Sequence, residues 1–142
     1  MEDVTHKQIL ISFISKVWNN GDFNDLDKLI TSQYKVEDDP YDPWNGQNID
    51  KKTFIERVVY SRNAFPNLNF KIKEMIEENS TVAIRWIMSG THKGDLPQMP
   101  ATGNKFSIQG MTFYYFENDK ICGHRQCFDQ LGFYKQIKGN KK

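Results

Sequence analysis

Residues 105–129, KFSIQGMTFYYFENDKICGHRQCFD, decide the fold. Two runs rich in aromatic and β-branched residues flank Asn118-Asp119, a dipeptide suited to a tight hairpin turn. With that turn Glu117 faces Lys120, and the register of the whole hairpin follows. One face then carries Ile108, Gly110, Thr112, Tyr114 and Phe116 opposite Asp129, Cys127, Arg125, Gly123 and Ile121. The other carries Gln109, Met111, Phe113 and Tyr115 opposite Phe128, Gln126, His124 and Cys122. The first face thus groups Arg125 and Asp129 with two glycines. Glycine weakens a strand interior, so it marks either close approach of a ligand or a β-bulge.

Working outward, Asn79-Ser80 marks a second hairpin turn. The strand before it alternates Phe70, Ile72 and Ile76 with Lys71, Lys73 and Glu77, a half-buried pattern. Further strands are expected over 82–92, 105–117 and 121–129. The apolar face of the earlier hairpin is expected inside, with Phe70, Ile72, Glu74 and Ile76 paired to Ala83, Arg85 and Ile87. An inward Arg85 opposite Glu74 is either a structural ion pair or a device that orients a carbonyl or carboxylate. The reverse face, with Ile84, Trp86 and Met88, is too apolar for solvent. It predicts a homodimer that buries Trp86.

The N-terminal half has helical periodicity. Ile9, Leu10, Phe13, Ile14, Val17 and Trp18 recur at three and four, and Asn19-Asn20-Gly21 stops them. Asp22 caps an expected short helix with Phe23, Leu26, Leu29 and Ile30. A third helix follows Asn48-Ile49-Asp50, with Phe54, Ile55, Val58 and Val59 as its stripe, and Pro66 closes it. A short last helix holds Leu131, Phe133, Tyr134 and Ile137. Helices followed by strands indicate an α+β layer fold in a single domain over 1–142. Two long connections, 38–48 and 93–104, are candidates for function. Apolar Trp44, Leu96 and Met99 in them suggest lids over a cavity.

Composition narrows the function. The chain has 142 residues, with 19 Lys and Arg against 18 Asp and Glu, and no basic stripe of the kind nucleic acid requires. Lys138, Lys141 and Lys142 read as a solvated tail. Met1-Glu2-Asp3-Val4 lacks the signature of a signal peptide, and no apolar run approaches the ~20 residues of a membrane span. The expected compartment is the cytoplasm. Cys122 and Cys127 would sit ~16 Å apart along one strand, beyond the ~7 Å that a disulfide spans. His6, His92 and His124 share no metal-ligand spacing, and no phosphate loop or nucleophile elbow occurs.

A set of short motifs then appears in order. Ala64-Phe65-Pro66-Asn67-Leu68, Val82-Ala83-Ile84-Arg85-Trp86, Gly90-Thr91-His92-Lys93-Gly94 and Pro100-Ala101-Thr102-Gly103 precede Asp119-Lys120-Ile121, His124, Phe128-Asp129 and Gln136. From about Tyr34 to Gln136 the chain resembles the SnoaL-like polyketide cyclases, within the cone-shaped nuclear-transport-factor-like superfamily. The resemblance implies helices closing the mouth of a curved antiparallel sheet over a hydrophobic pocket, with dimerisation through the sheet. It implies no metal or organic cofactor. It also implies a late-strand carboxylate as general acid/base for aldol cyclisation, which matches Asp129. The residue before Asp39-Pro40 is Asp38 where many relatives have His, and Arg125 follows His124 where many have Trp.

The resulting expectation is cofactor-free proton transfer on a small hydrophobic carbonyl compound. Asp129 would be the acid/base, and Arg85, Asp38, Trp44, Tyr114 and Arg125 would contact substrate. A non-catalytic ligand- or protein-binding module, and an epoxide hydrolase-like enzyme, are the alternatives. Asp129 has a second reading as the N-cap of the last helix.

Overall fold

In the computed structural model, which describes residues 4–139, the helical half begins at Thr5. Its hydroxyl accepts from the Gln8 N–H while the Gln8 side chain reaches back, a reciprocal cap. Helix α1, His6–Phe13, continues as a π-helical segment, Ile14–Asn19, so Ile9, Leu10, Phe13, Ile14, Val17 and Trp18 are all buried. Gly21, at φ 64°, ends it. Helix α2 is shorter than expected, Leu26–Leu29, because Ile30 already belongs to a strand. Asp22 does not cap it; its carboxylate accepts from the Asn24 N–H in the preceding turn. Asp50 caps α3, Lys51–Ala64, through the Thr53 N–H. The Met1–Asp3 part of the N-terminal reading, and Lys141 and Lys142, lie outside the described residues. Among the described residues no helix is long and apolar enough to cross a membrane.

The sheet has six strands: β1 Ile30–Asp38, β2 Asn48–Ile49, β3 Asn69–Glu78, β4 Thr81–Thr91, β5 Lys105–Glu117 and β6 Lys120–Phe128. Their order is β2-β1-β6-β5-β4-β3. It is antiparallel except that β1 runs parallel to β6. A curved sheet covered by helices is the expected architecture, but β1 and β2 were not legible as strands. Helix α4, Gln130–Lys138, closes the chain against β5 and the 93–104 loop.

Both hairpin turns fall where expected, with Asn79 and Asn118 each at φ 56° and Glu78 facing Thr81, Glu117 facing Lys120. Each hairpin also carries one extra residue. Ile72 faces Trp86 but Glu74 faces Arg85, which leaves Lys73 unpaired; Phe116 faces Ile121 but Tyr115 faces Gly123, which leaves Cys122 unpaired. Side chains alternate with a period of two, so each bulge reverses the faces beyond it. This overturns two expectations. Trp86 is 1% exposed in the core, and Arg85 lies on the outer face, paired with Glu74 at 2.6 Å and Gln109 at 3.1 Å. In the later hairpin, Tyr114 faces His124 and Thr112 faces Gln126 on the inner face, while Arg125 and Cys127 point outward.

The two glycines of the β5–β6 hairpin both answer to packing. The Trp86 ring lies where a Gly110 side chain would be, and at Gly123 the Lys35 carbonyl oxygen would stand 2.6 Å from a Cβ. Gly123 therefore lets β1 approach β6 next to the bulge.

Candidate functional site

A cleft of about 620 Å³ opens between α3, α4, the sheet and the two long loops. Trp18, Phe65, Phe70, Phe128 and Phe133 form much of its wall, and Trp44, Leu96 and Met99 come from the loops. Trp44 stacks edge-on against Tyr60 of α3 at 5.7 Å. The charged groups that line it are Asp39, Asp42 and Arg57.

These three begin a buried polar network. Arg57 occurs in the apolar stripe of α3, three residues after Phe54, so its guanidinium enters the interior and lies over Trp18 at 5.2 Å. It donates from Nε to Asp42 Oδ2 at 2.9 Å and from Nη2 to Asp39 Oδ2 at 3.2 Å. Burial pulls the guanidinium down, but the facing carboxylates, Asp42 foremost, outweigh it and hold Arg57 above its ordinary value. Asp39 follows the end of β1 and is 2% exposed. Its Oδ2 also lies 2.8 Å from His124 Nε2, and the Gln126 amide approaches both oxygens at 3.4 Å.

The partners of His124 fix its tautomer. Nε2 meets a carboxylate and so carries the hydrogen; Nδ1 accepts from the Tyr34 hydroxyl at 2.6 Å. Arg57 Nη2, 3.4 Å from Nε2, is then a donor facing a donor. Burial, with that cation, holds the imidazole below its ordinary value despite the bond to Asp39, so it is neutral near pH 7. Burial likewise raises the Tyr34 and Tyr114 phenols above theirs. Beneath the cleft a chamber of about 30 Å³ is bordered by Tyr34, Arg57, Tyr114, His124 and Gln126. Among the described residues no group of three or more His, Cys, Asp or Glu is placed to hold a metal ion.

The expected site residues separate. Trp44 lines the cleft, and Tyr114 is buried beside His124. Asp38 is exposed while its neighbour Asp39 is buried, because the chain leaves β1 between them. Arg85 and Arg125 are on the outer face, Arg125 lying 3.7 Å from Glu37. Arg125 therefore neither enters the cleft nor neutralises Asp129. Asp129 is itself exposed: its Oδ1 accepts from the Gly132 N–H at 2.8 Å and caps α4. The expected inward position of Asp129 assumed an unbroken β6. The polar groups that the structure brings together at the cleft are Asp39, Arg57, His124 and Gln126, and one signal for them was available: Arg57 breaks an otherwise apolar helix face.

A curved six-stranded sheet covered by helices over an aromatic cleft defines an α+β cone fold. The chain belongs to the SnoaL-like polyketide cyclase family, whose profile matches residues 8–137. Aklanonic acid methyl ester cyclase DauD of Streptomyces sp. strain C5 is 27% identical over 133 residues, covering 90% of this chain and 79% of that protein. The solved structure of a candidate polyketide cyclase from Acidithiobacillus ferrooxidans superposes with TM-score 0.87 at 37% identity, covering 97% and 98% of the two chains. IdmH of Streptomyces antibioticus, at 18% identity and TM-score 0.79 over 96% of this chain and 100% of its own, shares the fold.

Proposed function

We propose that this chain is a cofactor-free cyclase or isomerase acting on a hydrophobic carbonyl compound held in the cleft, with Asp39 as the proton-transferring group. The observation that carries this reading is the buried Asp39, fixed by three side-chain donors from α3 and β6 at the polar end of an otherwise largely aromatic cleft. Oδ2 is occupied by His124 and Arg57, whereas Oδ1 has only the long Gln126 contact and keeps lone pairs to accept a proton. The carboxylate would take a hydrogen from carbon next to the carbonyl. The electron pair left on the resulting enolate forms a carbon–carbon bond to a second carbonyl, whose oxygen recovers the proton from the same carboxyl. The cleft volume falls within the ~300–1,000 Å³ of small-molecule sites.

Hydrogen exchange in heavy water tests the first step without knowledge of the product. The protein should catalyse deuterium uptake next to the carbonyl of β-acetylnaphthalene or of aklanonic acid methyl ester. Asp39→Asn should lower that rate by roughly 10²–10⁴-fold with the fold intact. Exchange that is unaffected by Asp39→Asn overturns the assignment. A non-catalytic binding role is favoured by the donors that engage both Asp39 oxygens, and it predicts binding with no exchange at all. The exposed outer-face residues Ile76, Met111 and Phe113 support a homodimer through the sheet. Light scattering at micromolar concentration should report two copies, without Trp86 in their interface.

A further inference from the structure

We propose that Gln126 presents a side-chain N–H to the oxygen of a carbonyl ligand, and that Trp86 and Thr112 are the positioning residues that hold it in that orientation. This rests on the reading of the cleft as the seat of a carbonyl compound. The orientation follows from which groups can donate. The Trp86 indole has only a donor, and it gives its Nε1–H to Thr112 Oγ1 at 2.8 Å. The Thr112 hydroxyl is thereby turned to give its own hydrogen to Gln126 Oε1, also at 2.8 Å. On the other side of the amide stands the acceptor Asp39, 3.4 Å from Nε2. A flipped amide would set oxygen against carboxylate, so the relay and Asp39 agree on one orientation.

The amide nitrogen carries two hydrogens, and its equal 3.4 Å approach to the two Asp39 oxygens is that of one N–H shared between them, which leaves the other hydrogen unengaged. Gln126 lines both the cleft and the inner chamber, so the other is available at their junction. The chamber, about 30 Å³, has room for one oxygen-sized group. The relay also gives Gly110 its role: the Trp86 ring occupies the place of its missing side chain, which is how the indole reaches Thr112.

Binding decides the matter independently of turnover. β-Acetylnaphthalene and β-isopropenylnaphthalene differ by a carbonyl oxygen against a methylene of similar shape. The wild-type protein should prefer the ketone by roughly five- to tenfold, the worth of one neutral hydrogen bond. The ketone's carbonyl stretch, read by isotope-edited infrared spectroscopy, should be lowered in the complex. Gln126→Met should bring the preference near one and raise the stretch, while affinity for the hydrocarbon is kept. Thr112→Val should shrink the preference and Thr112→Ser restore it, a pattern that a merely structural threonine would not give. Equal binding of the two probes by wild type, or a preference and stretch that survive Gln126→Met, overturns the proposal with the cleft reading intact. Binding of neither probe overturns both, and deuterium exchange without the ketone preference overturns the Gln126 role alone.

Discussion

The two hairpins share a design and differ in what their irregularities do. Each turns on an Asn-initiated dipeptide with positive φ, and each carries one unpaired residue, Lys73 in β3 and Cys122 in β6. In β3–β4 the bulge turns Glu74 and Ile76 outward, where Glu74 meets Arg85 in solvent. In β5–β6 it turns His124 and Gln126 inward, where they meet Asp39. One bulge adjusts a surface; the other builds the candidate site. An ion pair can therefore be read correctly as a pair, as Arg85 with Glu74 was, and still be assigned to the wrong side of the sheet.

An inserted residue puts that contrast under the greatest strain. One glycine added after Gly123 would set His124 opposite Phe113 and Arg125 opposite Thr112, which sends Arg125 inward and removes His124 from Asp39. The loss of stability should exceed the about 3–5 kcal/mol of a single uncompensated buried charge, read as loss of a cooperative urea transition. Deleting Cys122 or Lys73 leaves every remaining cross-strand partner in place, so either deletion should keep a measurable transition at lower denaturant. An insertion no worse than the deletions would mean that the face of His124 does not hold the site together.

Substituting the two arginines compares their environments directly. Arg57→Met leaves Asp39 and Asp42 without their buried counter-charge and should cost about 3–5 kcal/mol in urea unfolding. Titration gives an intermediate effect. His124 has a folded pKa below its ordinary 6.5, so the unfolded chain takes up a proton that the folded chain refuses. Above pH 6.5 the group contributes no pH dependence; as pH falls from 6.5 toward the folded value, stability drops by up to about 1.4 kcal/mol per pH unit. His124→Gln should flatten that part of the curve, and β3–β4 contains no histidine that could substitute for it. The smallest effect belongs to Arg85→Ala. Despite a 2.6 Å contact with Glu74 it should cost less than about 1 kcal/mol, because the pair is solvated.

The features legible in the sequence were those with an uninterrupted period. The stripe from Ile9 to Trp18, the start of a helix after Asp50 and both turns needed only neighbours along the chain. Strand β1 was hidden because its inward residues Ile30, Tyr34 and Val36 keep a period of two but are interrupted by the exposed Ser32, beside an irregular pairing with β6. The site was hidden for a related reason. Tyr34, Asp39, Arg57, His124 and Gln126 come from separate segments and form no motif. The faces of His124 and Gln126 depend on a bulge whose local trace is Gly123 beside Cys122.

The parallel pairing of β1 with β6 also bears on the order in which the molecule comes together. The bonds Tyr34–His124 and Asp39–His124 join residues 90 and 85 positions apart, so they form only after a loop of that length has closed. The β3–β4 hairpin needs no such closure. During synthesis, a nascent chain whose last strand is still in the ribosome can pair β3 with β4 but has no partner for Asp39 beyond α3 and its own loop. The cleft's polar end is thus completed by the final strand, and hydrogen-exchange protection should reach Tyr34 and His124 later in refolding than Ile84.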